Sequence, residues 1–340
     1  MTYFAENRRD LRCDGEVFLL NEMRRLVLHV SGNVLFGDKG LELARYIQVY
    51  FEQRRHLSDG GQAALASRRE LVRTGIQIDR KLRARLAQLR SEVRISEVWD
   101  PCLLALLSEA NIQNTSDLTD DELIAHGNVL FMSSSEPIAV SLTWTLLLLS
   151  QRDDLRRAIR KELSDAFPGG KIPDFFPEKE LPLLCSVIQE TLRVLPPNAI
   201  MVRLTKVSAK ILGYELPPCC EVIVSPYVAH RDVNEYSEPD KFNPLRWSDM
   251  RPSAYTYFPF GVGSRHCLGK QLASFELISL LARILNMYDV VMIDDQEIDW
   301  TLDITLMPKS DVAVKFVENR EHWPSKGGRL HGPVADLVQI

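Results

Sequence analysis

The chain has 340 residues, 45% of them hydrophobic and 26% charged, which is ample for a packed core and excludes a disordered tail. A formal net charge of -5 lacks the basic excess of a backbone-phosphate binder, so no nucleic-acid partner is expected. Six cysteines, Cys13, Cys102, Cys185, Cys219, Cys220 and Cys267, form no CxxC pair and no even ladder, which fits a reduced, cytoplasmic chain.

The opening "MTYFAENRRD" is too polar for a signal peptide. Helical apolar periodicity then recurs over 17–36, 41–56, 62–94, 100–110, 119–149, 151–166 and 181–193. In the third of these, Arg68, Arg69, Arg73, Arg80, Lys81, Arg83, Arg85, Arg90 and Arg94 alternate with Ile78, Leu82, Leu86, Leu89 and Val93. That pattern predicts an amphipathic helix with a solvated basic face. Thr119 and Glu122 make a capping box for the longest segment. Inside it lies "FMSSSEPIAV", residues 131–140, where a carboxylate and a proline interrupt an apolar run at a cost that some partner must offset. The apolar stretch from Ile138 to Leu149 falls short of the roughly 20 residues that span a bilayer, and extending it backwards collects Glu136, so no membrane span is expected.

After Pro196 and Pro197 the chain changes character. "IMVRLTKV", "AKILGYELP" and "EVIVSPY" are short, β-branched and separated by turn residues, as strands are. A proline-punctuated stretch, 239–260, shows no clear period; 267–287 is helical, and "YDVVMI" and "DVAVKFV" read as closing strands. From Glu318 the patterning is weak and a poorly ordered tail is expected. The fold class is mainly α with a small β region: one domain over 1–317, helical to about residue 195 and mixed beyond, then a tail over 318–340.

The densest chemistry lies in "FPFGVGSRHCLGKQLASFEL", residues 258–277. A glycine-rich loop runs into one cysteine as a helix opens. Glycines let the backbone approach a flat ligand, and the positive end of a helix favours a thiolate, the form a soft metal takes. Taken alone, such a cysteine is more often an ordinary buried residue. His266 reads as a surface residue. "HRD" at 230–232 superficially matches a kinase catalytic loop, but no phosphate-cradling glycine loop or DFG accompanies it, and that reading is set aside.

Phe260, Gly261, Gly263, Arg265, Cys267 and Gly269 together resemble the haem-binding loop of the cytochrome P450 family position for position. "ETLR" supplies Glu190 and Arg193, similar to the family's Glu-x-x-Arg helix, and "EPDKFNPLRW" supplies Arg246, similar to the third member of that buried ion-pair network. The resemblance implies haem b (iron protoporphyrin IX), with Cys267 as the proximal thiolate ligand of its iron. It also implies Arg265 and Arg203 on the propionates, Phe260 beside the sulfur, and Gly261 and Gly269 shaping the loop.

The same resemblance implies that the long central helix crosses the distal face of the haem with an acid and an alcohol that relay protons. Here the acid is Glu136, preceded by Ser133, Ser134 and Ser135, and Pro137 stands where the alcohol is expected. Pro137 leaves the Ser133 carbonyl without its helical partner, so a bend is expected, with Ser134 or Ser135 binding the relay water. The family's fatty-acid peroxygenase branch also has proline there, preceded by arginine rather than glutamate. The likeness runs from about residue 15 to about 317 and begins in the family's fourth helix. It implies a fold that lacks the N-terminal sheet and first helices, roughly a hundred residues.

The function implied is that of a monooxygenase inserting one oxygen atom from O2 into a small hydrophobic substrate, in secondary metabolism. Electrons would come from a separate ferredoxin- or flavodoxin-type donor with its reductase, because no flavin or nicotinamide motif is present in cis. Two other readings stand beside it: a peroxide-driven or rearranging haem enzyme, suggested by Pro137, and a catalytically silent relative.

Overall fold

Residues three and four apart share a helix face, and burying that face is what fixes the helices of the first half of the chain. The computed structural model describes residues 15–37, 40–55, 62–93, 102–112, 117–318 and 327–340. Cys13, Arg94 and predicted helix ends at 56 and 100–101 lie outside them. Two compact units form, one from Arg24–Glu136 and one from the remaining described residues.

The first unit holds most of α1 (Leu19–Phe36), then α2 (Gly40–Arg55), α3 (Gln62–Val93), α4 (Leu103–Ile112) and the first half of α5 (Asp120–Ser150). Ile78, Leu82, Leu86 and Leu89 form the buried stripe of α3 and pack with Phe36, Ile47, Leu123 and Phe131. Phe36 and Phe131 stack at 5.4 Å between ring centroids. The basic face of α3 is occupied by its own acidic neighbours: Lys81 meets Glu42 at 2.6 Å, Arg83 meets Asp121 at 2.8 Å and Arg90 meets Asp120 at 2.6 Å. Such exposed pairs contribute little, because water and salt screen them. The capping box forms as predicted, with the Thr119 amide donating to Glu122 Oε2 at 2.8 Å and the Glu122 amide donating to Thr119 Oγ1 at 3.3 Å.

The second unit begins with β1 (Val17–Phe18) and continues, after the second half of α5, with α6 (Asp153–Ala166) and α7 (Pro182–Val194). Then come β2 (Met201–Leu204), β3 (Ala209–Ile211), β4 (Tyr214–Leu216), β5 (Glu221–Val224), the short α8 (Pro226–Ala229) and α9 (Lys270–Met287). It closes with β6 (Tyr288–Met292), β7 (Gln296–Glu297), β8 (Trp300–Leu302), β9 (Leu306–Pro308), β10 (Ala313–Glu318), β11 (Leu330–His331) and α10 (Val334–Leu337). The strands pair in small sheets: β1-β10-β6, β2-β5, β3-β4 and β8-β9 antiparallel, β11-β7 parallel.

Side chains from distant segments finish the helix ends. Asp311 accepts from the amides of Leu20 (2.7 Å) and Asn21 (2.9 Å), capping α1. Glu162 on α6 accepts from the amides of Leu183 (2.6 Å) and Leu184 (3.0 Å), capping α7. Trp144 on α5 is fully buried and donates from Nε1 to the Leu306 carbonyl at 2.9 Å.

The expected loose tail is corrected over 327–340. There β11 and α10 bury Val334, Leu337 and Val338, and Gln339 exchanges backbone bonds with Asp240 and Phe242. A strand of two residues and a helix of four are too short to show a period, which is why the sequence pattern looks weak. No helix among the described residues is long and apolar enough to cross a membrane.

Candidate haem site

Glu190 and Arg193 lie three apart on one face of α7, and both are fully buried. A buried carboxylate needs donors, and five converge on this one. Arg193 grips it with Nε and Nη2, each at 2.9 Å; Arg246 Nε adds a third bond at 3.0 Å, the Asn243 amide a fourth at 2.9 Å and Trp247 Nε1 a fifth at 2.9 Å. The surplus guanidinium protons go to main-chain carbonyls. Arg193 reaches those of His230 (2.9 Å) and Pro239 (2.6 Å), and Arg246 reaches that of Ser237 (2.8 Å). The network therefore clamps the irregular 230–250 segment onto α7.

His230 extends the clamp toward the cysteine loop. It is fully buried, and burial pushes its imidazole down to about 4, so it is neutral near physiological pH. The Phe258 amide donates to its Nε2 at 2.9 Å, which leaves the proton on Nδ1, 3.3 Å from the Arg193 carbonyl. One ring thus joins the end of α7 to the segment two residues before Phe260. The "HRD" triplet is structural, and its arginine also serves packing: Arg231 lies over the Tyr227 ring at 3.8 Å and donates to the carbonyls of Val194 and Leu337.

From Phe258 the chain turns sharply, because Gly261 and Gly263 adopt φ of +73° and +75°. The Gly261 amide bonds the Phe258 carbonyl at 2.9 Å, and the Cys267 amide returns to the Phe260 carbonyl at 2.7 Å. The loop so closed sets Cys267 three residues before α9. Its thiol is free and exposed, and Leu268 beside it is 89% exposed. Arg265 is exposed and has no side-chain partner among the described residues. Arg203 is also exposed, on β2, and its one contact is Nη1 to the neighbouring Val202 carbonyl at 2.9 Å. His266 is exposed, as its sequence context suggests. A Cβ built on Gly263 or Gly269 would meet nothing within 4 Å. A soft sulfur donor, two exposed guanidinium forks and open glycine backbone are a donor set that fits a haem and its propionates.

The central stretch answers the cost noted in the sequence. Glu136 receives both arms of the Arg24 guanidinium, Nε at 3.0 Å to Oε2 and Nη2 to Oε1, and Arg24 is itself buried. The two lie 112 positions apart, so no local pattern announces the pair. α5 continues helically through Pro137. The hydroxyls of Ser134 and Ser135 both donate to the Phe131 carbonyl, at 3.2 and 3.1 Å, and that of Ser133 donates to Val129 at 2.7 Å. Their protons are committed to their own helix, while their lone pairs stay open to accept from a water.

Sequence reasoning missed Asn243, Trp247, His230 and Arg24. The first two flank Arg246 in "NPLRW" and could have been suspected from that position alone.

Burial also singles out Glu276 on α9. Its Oε1 has no partner among the described residues, and desolvation pushes its carboxyl from 4.5 up to about 8. Between those values only the folded chain holds the proton, so stability falls as pH rises from about 4.5 and levels off above about 8. At ~1.4 kcal/mol per unit the loss near neutrality is on the order of 3 kcal/mol. Glu276→Gln is therefore expected to raise the denaturation midpoint at alkaline pH, with the gain fading toward the ordinary carboxylate range. An equal shift at every pH would mean that a packing change, and not the proton, is responsible.

Mainly helical units with small sheets, and a free, exposed cysteine between a glycine loop and a long helix, are the features of a haem-binding class of fold. The solved structure described as retinoic acid bound cyanobacterial CYP120A1 superposes with a TM-score of 0.80 at 22% identity, over 93% of this chain and 72% of that one. A cytochrome P450 described as CYP102L1 gives 0.76 at 24% identity, over 93% and 71%. The cytochrome P450 profile matches residues 67–316, and the chain belongs to that family. Among curated relatives, the putative cytochrome P450 137 of Mycobacterium tuberculosis is 29% identical over 89% of this chain and 63% of its own. The mitochondrial sterol 26-hydroxylase of Rattus norvegicus is 30% identical over 60% and 40%. Cyclooctatin synthase of Streptomyces melanosporofaciens is 32% identical over 54% and 40%. The chain thus spans 40% to 63% of the length of these curated relatives. Family membership implies a haem cofactor.

Proposed function

We propose that this chain is the haem-holding part of a cytoplasmic monooxygenase that inserts one atom of O2 into a small hydrophobic substrate of secondary metabolism. The observation that carries this reading is the exposed Cys267 thiol at the end of the glycine loop, with Leu268 uncovered beside it and Arg265 free. Cys267 would ligate the iron of haem b, Arg265 and Arg203 would take its propionates, Phe260 would pack by the sulfur, Gly261 would shape the loop and Gly269 would give the ring room. Bound haem would supply the oxygen chemistry, and the Cys267 sulfur would donate electron density to it. Glu136 is the acid that would gather the proton. A water accepted by Ser134 or Ser135 then carries it on. A relative named as a sterol hydroxylase and a structure described as binding retinoic acid favour an apolar, lipid-like substrate. Electrons would come from a ferredoxin- or flavodoxin-type donor with its reductase.

The test is a reduced, carbon-monoxide difference spectrum of the purified chain, followed by mass analysis of product formed under isotope-labelled O2. A thiolate-type Soret band and label in the product are expected. Purified chain that holds no haem would replace this reading with that of a catalytically silent relative.

The absence of a hydroxyl at Pro137 favours a second reading, a peroxide-driven or rearranging enzyme. Proton delivery by a positioned group is worth roughly 10² to 10⁴ in rate. With O2 and a redox partner, Pro137→Thr is expected to convert more electrons into product and fewer into free peroxide than the parent. Equal, efficient coupling in both proteins would make Pro137 only a helix-shaping residue. Better turnover with peroxide alone, unimproved by Pro137→Thr, would favour the second reading.

A further inference from the structure

Cys219 and Cys220 are adjacent thiols that no part of the reading above uses. Both are free; Cys219 is exposed and Cys220 half-buried, its sulfur 3.8 Å from the Glu221 carbonyl oxygen. Cys219 has φ of +61°, a region that a residue with a side chain seldom enters. The turn is held there by Thr205. The Cys219 amide bonds the Thr205 carbonyl at 2.8 Å, the Cys220 amide bonds Thr205 Oγ1 at 2.9 Å, and the Thr205 amide returns to the Cys220 carbonyl at 3.1 Å. Immediately beyond this clamp lies the pair β2–β5, in which Leu204 faces Glu221 and Arg203 faces Val222.

We propose that Cys219 and Cys220 are a reversible redox switch: hydrogen peroxide oxidises the two thiols to a vicinal disulfide, and a thiol reductant reopens it. The exposed Cys219 sulfur attacks one peroxide oxygen, the O–O bond breaks, water leaves and a sulfenic acid remains. The Cys220 sulfur then displaces that hydroxyl as a second water, forming the S–S bond. Two thiols have given up two electrons and two protons, and one peroxide has become two waters. Adjacent Cα atoms are about 3.8 Å apart, below the ~4.4 Å lower limit of ordinary disulfides, so the ring is strained and readily reduced. That is the property a switch needs and a structural crosslink avoids. Closing the ring twists the 219–220 peptide, breaks the bonds to Thr205 and loosens the end of the strand pair that carries Arg203.

The experiment is tryptic peptide mapping of the full chain after treatment with equimolar hydrogen peroxide. Cleavage after Lys210 and Arg231 isolates both cysteines in one peptide that holds no other cysteine. The bulk of that peptide is expected to lose two hydrogens in mass, to resist alkylation and to recover both on treatment with dithiothreitol. Hydrogen exchange of β2 and β5 amides is expected to quicken several-fold in the oxidised chain and to return on reduction. In Cys220→Ser the same treatment should add oxygen to Cys219 instead. Wild-type peptide that gains oxygen while Cys220 is still alkylated, or that crosslinks two chains, overturns the proposal. Because the mass readout uses the wild-type chain, it stands even if the variant fails to fold.

Discussion

Glu190→Ala is expected to cost this protein its folded state. The side chain accepts five hydrogen bonds inside a fully buried network, and its removal leaves two guanidinium groups, the Trp247 indole N–H and the Asn243 amide without their acceptor. Breaking a buried ion pair from one side costs about 3 to 5 kcal/mol, because the remaining charge has lost its partner and cannot reach water. Domains have only about 5 to 15 kcal/mol of stability in total, so insoluble protein or a sharply lowered denaturant midpoint is the expected outcome. Glu190→Gln, which keeps the shape and one acceptor oxygen, should fall between the two. A Glu190→Ala midpoint equal to that of the parent would show that α7 and the segment it clamps are held together by apolar packing alone.

Cys267→Ser should behave in the opposite way, keeping the fold and losing the chemistry. The thiol is exposed, and the loop is closed by backbone bonds and two positive-φ glycines that the substitution does not touch. The denaturation midpoint is therefore expected to shift by less than about 0.5 kcal/mol, as for a surface change. The thiolate-type band of the reduced carbon-monoxide complex should vanish, and turnover should fall to background. Cys267→His, which offers a neutral nitrogen donor, should restore a haem band of different position without restoring the thiolate type. If the original band survives in either variant, the sulfur on iron comes from another residue.

Those two contrasting results follow from what the sequence made legible. Glu190, Arg193, Arg246 and the cysteine loop are short motifs whose residues lie close in the chain, and the helical stripe of α3 follows from a period that four buried apolar residues obey. The Thr119–Glu122 box is likewise local. What escaped were partnerships across the chain. Arg24 offsets the cost of Glu136 from a helix 112 positions away, and His230 gains its meaning only when Arg193 and Phe258 are brought to its two ring nitrogens. Charge and ring type are visible in a sequence, but the direction in which a buried donor points is fixed by tertiary packing. The end of the chain was misread for another reason: its anchors, Val334, Leu337 and Val338, are too few to set up a period.

The cap on α1 bears on how the molecule is made. Asp311 meets the Leu20 amide across 291 positions, and β1 finds its only strand partner among the described residues in β10. The first turn of α1 therefore goes without its Asp311 cap until residue 311 has been synthesised, at about 5 to 20 residues per second. Closing so long a loop is slow, because its entropy is lost before the contact repays it. Until then the first strand waits as an unpaired edge, and nascent chains arrested before residue 311 would expose it to any neighbour able to pair with it.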